Sequence, residues 1–403
     1  MFKITPLDDG LAAVPGFFCD AVNVGMRTNP ANSGITDLDG DVAFIRSDTL
    51  CDVRAVFTTN RFQAAPIRHF QRYPKGFQTN FLLINAKNAN AMTGEQGVED
   101  IDIIFSALPD HLRIINPIMS STGVIGYRLP TQKIISGLQR FDYRACNADA
   151  TARAIMTTDT FKKELAYTVQ LEHGEQFRIA GIGKGAGMID PAMATMLHFI
   201  VTDADVPPDE MESLLQEAAD RSFNRISVDG DTSTNDTVLL LSNRLSGAYD
   251  RAAFQAVLEH MMFEMAMMIL RDGEGASKVV AFRVRGARND DQARKAATDL
   301  SQSLLVKTAL FGADPNWGRI ASTIGAAGIE CDEEMLTIHY DDLCIYSAQQ
   351  RELDAAREAQ AAAVMQQDHF TITCDLGIGT GDYTAYGCDL GYDYVRINAE
   401  YRT

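Results

Sequence analysis

Between Asp250 and Leu270 apolar side chains return every third or fourth residue: Phe254, Val257, Leu258, Met261, Met262, Met265 and Met268. That spacing predicts one long helix with an apolar stripe. Methionine fills irregular cores, so the stripe reads as packing rather than as a cofactor box. The rest of the chain is built of shorter pieces. Val42–Arg46, Val53–Thr58, Phe81–Asn85 and Leu112–Asn116 are β-rich runs separated by Gly, Pro and Asn clusters. Helical patterns follow over Pro130–Arg140 and Asn147–Met156, then strand-like runs over Glu164–Glu172 and Glu175–Ile182. Pro207–Phe223 predicts a helix whose acidic first turn suits the helix dipole.

After residue 275 the rhythm becomes regular. Strand Lys278–Arg285, helix Asn289–Gln302, strand Leu304–Phe311, helix Trp317–Ala327, strands near 335–346 and helix Arg351–Gln366 are expected, with strands at the end. This is α/β layering, with helices on sheet faces. The change of rhythm suggests two domains, 1–275 and 276–403.

Composition narrows the function. A net charge of -18 and a pI near 4.8 set the chain against phosphate backbones, which argues against a nucleic-acid partner. The seven cysteines are scattered, odd in number and without a CxxC, as in a reduced compartment. The N-terminus has acidic residues where a secretory signal would continue its apolar region. No apolar run approaches the roughly 18 residues of a membrane span. A cytoplasmic soluble enzyme is the expectation.

The chemistry is concentrated in KGAGMIDPAMATMLHF, Lys184–Phe199. Gly183, Gly185 and Gly187 allow positive φ and close backbone approach. GIGKGAG lacks both the ending of a P-loop and the setting of a dinucleotide fingerprint. Small residues lead to Thr195, followed by the strand-like run Met196–Val201. A threonine is a poor nucleophile without a base. A break just before it would free its own α-amino group, with a reference pKa of about 7.7–8.0. One cut would then supply nucleophile and base on one residue. From the residues alone, a glycine-rich turn before a strand is the simpler reading of the segment.

The segment KGAGMIDPAMATMLHFIVTDAD resembles the cleavage region of the ornithine acetyltransferase, or glutamate N-acetyltransferase, family of arginine biosynthesis. FTTNRFQAAP (57–66), STGVIG (121–126), MTTDT (156–160), FNRISVDGDTSTNDT (223–237), RDGEGASK (271–278), KTALFGADPNWGRI (307–320) and the terminal INAEYRT are similar to its other blocks, in order along the whole chain. The resemblance implies an α-β-β-α sandwich with a smaller C-terminal α/β domain. It implies cleavage between Ala194 and Thr195 into an α chain, 1–194, and a β chain from 195. Two copies of each would form a heterotetramer. No cofactor and no metal are implied.

The resemblance also assigns roles. Thr195 is the nucleophile: it takes acetyl from N2-acetylornithine, and glutamate removes it. Acetyl-CoA is a second donor in bifunctional members, and no residue settles whether it is one here. Thr122 and Gly123 match the oxyanion pair, which holds the charge of tetrahedral intermediates. Thr157, Lys184, Glu274, Asn398 and Thr403 match substrate-binding positions, with Thr158 an alternative to Thr157. At Lys184 a cation would meet a carboxylate; at Glu274 a carboxylate would meet an ammonium group. Without the family each is an ordinary loop, turn or helix-end residue. In NAKNANA, 85–91, Lys87 stands where the family pattern has glycine, and a turn of positive φ there would be strained.

Other polar residues read more plainly. Asp229, Asp231 and Asp236 lack the glutamate of a calcium loop and are expected to order a loop. His198 reads as a packed, hydrogen-bonded histidine rather than a base. Trp317 and Arg319 receive no role. Two alternatives remain at this point. One is an N-terminal-nucleophile aminopeptidase or amidase, in which water is the acceptor. The other is an uncleaved, non-catalytic binding protein.

Overall fold

The computed structural model of the chain describes residues 2–26, 40–191 and 196–400. Ala194, Thr195 and Thr403 lie outside the described residues. The strands are β1 Lys3–Pro6, β2 Phe17–Val22, β3 Val42–Phe57, β4 Gln78–Asn85, β5 Ile118–Ser121, β6 Lys163–Gln170, β7 Gln176–Lys184 and β8 Leu197–Thr202. They continue with β9 Ile226–Ser227, β10 Thr237–Ser242, β11 Val279–Ala287, β12 Thr337–Tyr340, β13 Leu343–Tyr346, β14 His369–Asp375 and β15 Gly381–Cys388. The helices are α1 Ala65–Phe70, α2 Gly94–Phe105, α3 Thr131–Leu138, α4 Ala148–Ala154, α5 Met211–Arg221 and α6 Arg251–Arg271. After them come α7 Asp290–Gln302, α8 Leu304–Phe311, α9 Trp317–Ala326, α10 Ala355–Met365 and α11 Tyr392–Glu400.

The first sheet runs β1-β6-β7-β8-β10-β3-β4-β5, with β2 also on β3. The two runs expected at 42–46 and 53–58 are one strand. Its first half pairs with β2 and β4, its second with β10, and its register with β4 shifts between Arg46 and Cys51. The long strand therefore belongs to both halves of the sheet. Period-2 alternation makes the consequence visible. Leu82 and Ile84 of β4, Ile45 and Val53 of β3, Leu239 and Leu241 of β10, Leu197 and Phe199 of β8, and Ala180 and Ile182 of β7 all enter one shared core. Their neighbours point outward. Phe44, Phe81 and Leu83 meet Val98 and Ile101 of α2 and Ile134 and Leu138 of α3. Phe177, Ile179, Ile200, Val238 and Leu240 meet α5 and α6. The layers are helix, sheet, sheet, helix, as expected.

Helix α6 is long and apolar enough to cross a membrane by length and composition, but 61% of its most apolar window is buried within the protein. Phe254, Val257, Leu258, Met261, Met262 and Met265 lie in the core, and Asp250 caps its start by accepting the Ala253 N–H at 2.8 Å. Each such side chain, fully buried, contributes about 1.5–3 kcal/mol.

The second sheet runs β13-β12-β14-β11-β15-β9, with its own core of α7, α8, α9 and α10 side chains. Three expectations fail. Leu304–Phe311 is helix α8, started by the Ser303 side chain accepting the Val306 N–H. Leu112–Asn116 is no strand: Asp110–Leu112 is a 3-10 turn, and Arg113 and Asn116 take positive φ, which breaks extended pairing. The neighbouring strand is instead β5. The chain closes not in strands but in α11.

Candidate active site

Three strand ends meet at one edge of the first sheet. Lys184 ends β7 and pairs with Leu197, which begins β8; Leu197 pairs with Thr237, which begins β10. Asn85 ends β4 opposite Ser121, the end of β5. Asn235 links these two places. Its buried amide Nδ2 donates to the carbonyls of Ala89, at 2.6 Å, and Ser121, at 2.8 Å. Between them opens a cleft of about 90 Å³. Thr122, Gly123, Thr157, Thr158, Lys184, Glu274 and Asn398 all line it.

Segment 121–124 lies across the turn 85–89. Thr122 N–H donates to the Asn85 carbonyl at 3.0 Å, and Val124 N–H to the Lys87 carbonyl at 3.3 Å. Gly123 has φ 132°, and a Cβ there would stand 2.1 Å from the Lys87 carbonyl carbon. Any side chain would force the two segments apart. Lys87 does take a positive φ, 73°. Its ammonium donates to the Met156 carbonyl at 2.8 Å, tying this turn to the loop that carries Thr157.

Behind the cleft is a buried ionic cluster. Lys163 donates to Asp159 Oδ1 at 2.7 Å and to Asp272. Asp159 also accepts the N–H of Gly185 at 2.8 Å and of Thr157 at 3.0 Å. Lys184 Nζ lies 4.0 Å from Asp159. Burial pushes the Asp159 carboxyl up, but Lys184 and Lys163 outweigh it and hold it below the usual carboxylate range. Lys184 is pulled the other way: burial lowers its pKa more than Asp159 raises it. Glu274 accepts from the Asn398 amide at 2.7 Å, and its own N–H donates to Ala186.

The three glycines serve space more than backbone freedom. Gly183 and Gly187 have no positive φ, and only Gly185 does, at 157°. A Cβ at Gly183 would press on His198 and Met265, and one at Gly187 would lie 2.5 Å from the Glu274 carboxylate. His198 is packed as expected, with its ring 5.3 Å from Phe223, but its two ring nitrogens have no hydrogen-bond partner among the described residues. Asp229 does order a loop, accepting the N–H groups of Met188 at 2.6 Å and Ile189 at 2.9 Å. Trp317 stacks on Tyr346 in the second core, away from the cleft.

Sequence reading missed Lys163, Asp159, Asp272 and Asn235. Asp159, Asp272 and Asn235 stand inside segments already singled out, MTTDT, RDGEGASK and STNDT. The one available signal was Lys163 four residues after Asp159, a spacing with meaning on a helix but none on a strand.

A family model described as the ArgJ family matches residues 27–403. The arginine biosynthesis bifunctional protein ArgJ of Wolinella succinogenes is 53% identical over 404 residues, covering 100% of both chains. Its counterpart from Dehalococcoides mccartyi is 41% identical, over 100% of this chain and 99% of that one. The counterpart from Oceanobacillus iheyensis is 38% identical, over 100% and 98%.

Proposed function

This chain belongs to the ArgJ family and is an acetyltransferase of arginine biosynthesis, and we propose that it carries acetyl from N2-acetylornithine to glutamate on Thr195, once the Ala194–Thr195 bond has broken. The observation that carries this reading is the single cleft in which Thr122, Gly123, Lys184, Glu274 and Asn398 converge, on the strand edge that leads into Met196. Lys184 pairs with the substrate carboxylate, and Glu274, oriented by Asn398, with an ammonium group. Thr157 or Thr158 contributes a hydroxyl at the wall, and Thr403 a further contact from the chain end.

The chemistry is covalent catalysis in ping-pong order. The Thr195 hydroxyl attacks the acetyl carbonyl while the freed α-amino group takes its proton. Thr122 and Gly123 hold the oxyanion. Ornithine leaves, and glutamate attacks the acetyl-threonine ester. The word "bifunctional" in the relatives' names supports acetyl-CoA as a second donor. Fragments 1–194 and 195–403 stay together, two copies of each, in the cytoplasm. Residues 1–275 form the catalytic domain, and 276–403 the domain that brings Asn398 to the cleft.

Thr195→Ala tests the reading. Mass spectrometry of the unsubstituted enzyme should find two fragments, and the variant should stay whole and transfer no acetyl. Full-length protein in active unsubstituted material, or transfer surviving in the variant, would refute it.

A further inference from the structure

The second sheet has one face packed against α7–α10, through Val280, Phe282, Ile372 and Ala385. Alternation turns their neighbours to the other face. There Thr371 of β14, Ala281 of β11 and Tyr386 of β15 stand in one row across three paired strands. Ala281, between two larger side chains, leaves a hollow in the row. The end of α6 closes it from above with Met267 and Arg271, four residues apart on one helix face. The result is a cavity of about 330 Å³, apart from the cleft and sharing no lining residue with it.

Three charged or ionisable side chains border this cavity: Arg271, His369 and Asp341. All three are exposed, and none makes an ion pair among the described residues. Asp341 is fixed in place, its N–H donating to the Thr371 carbonyl and its Oδ1 accepting the Thr371 N–H, both at 2.8 Å. Arg271 and Asp341 are of opposite sign, yet they do not reach each other. Farther along the same face the charges do pair, Arg283 with Asp382 and Arg285 with Asp375. The hollow between Asp190 and α7 is likewise engaged: Asp190 holds Thr232 and Gln302, and Lys295 holds Asp299. The α6 dipole accounts for a cation at its last turn, but not for the cavity beneath it.

We propose that this cavity binds a free α-amino acid with an apolar side chain. Such a molecule carries a carboxylate and an ammonium group together at neutral pH. Arg271 takes the carboxylate through its planar fork, and Asp341 the ammonium group. The floor of Met267, Val279 and Ala281 takes the side chain. A mostly apolar lining with a few polar groups that fix orientation, and room of this order, is what small-molecule sites share.

The site is tied to the cleft by the chain itself. Arg271 is followed by Asp272, which accepts the Thr160 N–H at 3.0 Å and pairs with Lys163 in the buried cluster. Two residues on, Glu274 lines the cleft. A ligand that draws on Arg271 draws on the segment that places Glu274. Occupancy therefore changes substrate binding in the cleft, a link that rests on the acetyl-transfer reading of that cleft.

Calorimetric titration of the full chain with L-leucine tests the site. One leucine should bind per chain. The analogue 4-methylpentanoate lacks the ammonium group, and 3-methylbutylamine lacks the carboxylate. Each should bind at least ~10-fold more weakly than leucine. Arg271→Ala should weaken leucine by a similar factor, and Ala281→Phe, which fills the hollow, should abolish binding. If Ala281→Phe does not fold, the exposed Arg271→Ala decides. No binding of leucine, or 4-methylpentanoate binding as well as leucine, overturns the proposal. So does leucine that L-ornithine displaces and that Arg271→Ala still binds normally, since it would then sit in the cleft. The link is read by kinetics: saturating leucine should change the KM for N2-acetylornithine about 5-fold or more, and an unchanged KM overturns it. A chain that transfers no acetyl at all refutes the proposed function, while the titrations still decide the amino-acid site.

Discussion

At the cleft end of the first sheet Asp159, Lys163, Lys184, Asp236 and Asp272 are each at most 4% exposed. On the second sheet the pairs Arg283–Asp382, Arg285–Asp375, Arg288–Glu330 and Arg351–Glu334 keep between 31% and 62% of their side chains exposed. Stability does not explain the first arrangement. Burying ions costs several kcal/mol each, and well-packed apolar residues usually serve as well or better. The second is what a solvated surface does by default, at about 0–1 kcal/mol per pair. A cluster of buried, mutually paired charges at one place marks where the protein has to hold charged groups still. Asp159 illustrates it: the same carboxylate fixes Thr157, Gly185 and Lys163 around the cleft.

Cutting the centre of that cluster should have the largest effect. Lys163→Met removes from a dry interior the cation that Asp159 and Asp272 share. A loss of about 3–5 kcal/mol is expected, read as a fall in the urea midpoint. A loss no larger than a surface pair gives would erase the contrast between the two sheets.

Thr122→Val separates chemistry from support. The shape is kept and the hydroxyl lost, so turnover should fall about 10²–10³-fold, near 2.7–4 kcal/mol, while melting stays put. If melting falls and turnover holds, Thr122 belongs to the scaffold and the oxyanion assignment fails.

How much of this was legible depended on where the information lay. The strand character of β4, β7 and β8 is local, and so is the apolar stripe of α6; both read directly from the residues. What escaped was set by distant partners. Nothing near residue 46 says that β3 crosses from one layer to the other. The run LLVKTALF has the apolar content of a strand, and only Ser303 before it signals a helix. In the site, Thr122, Gly123, Thr157, Lys184, Glu274 and Asn398, the matched residues that the structure describes, line one cleft, but their supports do not announce themselves. Asn235 is a loop amide until Ala89 and Ser121 arrive from far along the chain. Lys87 is the opposite case: the positive φ its setting suggested is there, and its side chain holds Met156.

His198 gives a pH test of the same interior. Burial lowers its pKa to about 3, against about 6.5 for an unfolded histidine. Between those values the unfolded chain binds a proton that the folded one refuses, so stability falls as pH drops below about 6.5, by up to ~1.4 kcal/mol per unit. From pH 7 to 5 this amounts to about 2 kcal/mol. His198→Leu should remove that share of the acid sensitivity, seen in urea midpoints at the two pH values. An unchanged pH dependence would mean that the ring finds solvent or a partner on protonation.

The smallest effect belongs to the second sheet. Arg283 donates to Asp382 at 2.6 Å, diagonally across the strand pair, with both side chains nearly half exposed. Water already solvates both ions, and salt screens what attraction remains. Arg283→Ala should therefore cost no more than about 1 kcal/mol, a cost that shrinks further in high salt, and should leave acetyl transfer unchanged. A loss comparable to that of Lys163→Met would show that exposure does not sort the two sets of charges. Burial would then no longer mark the cleft end of the first sheet as the working part of the molecule.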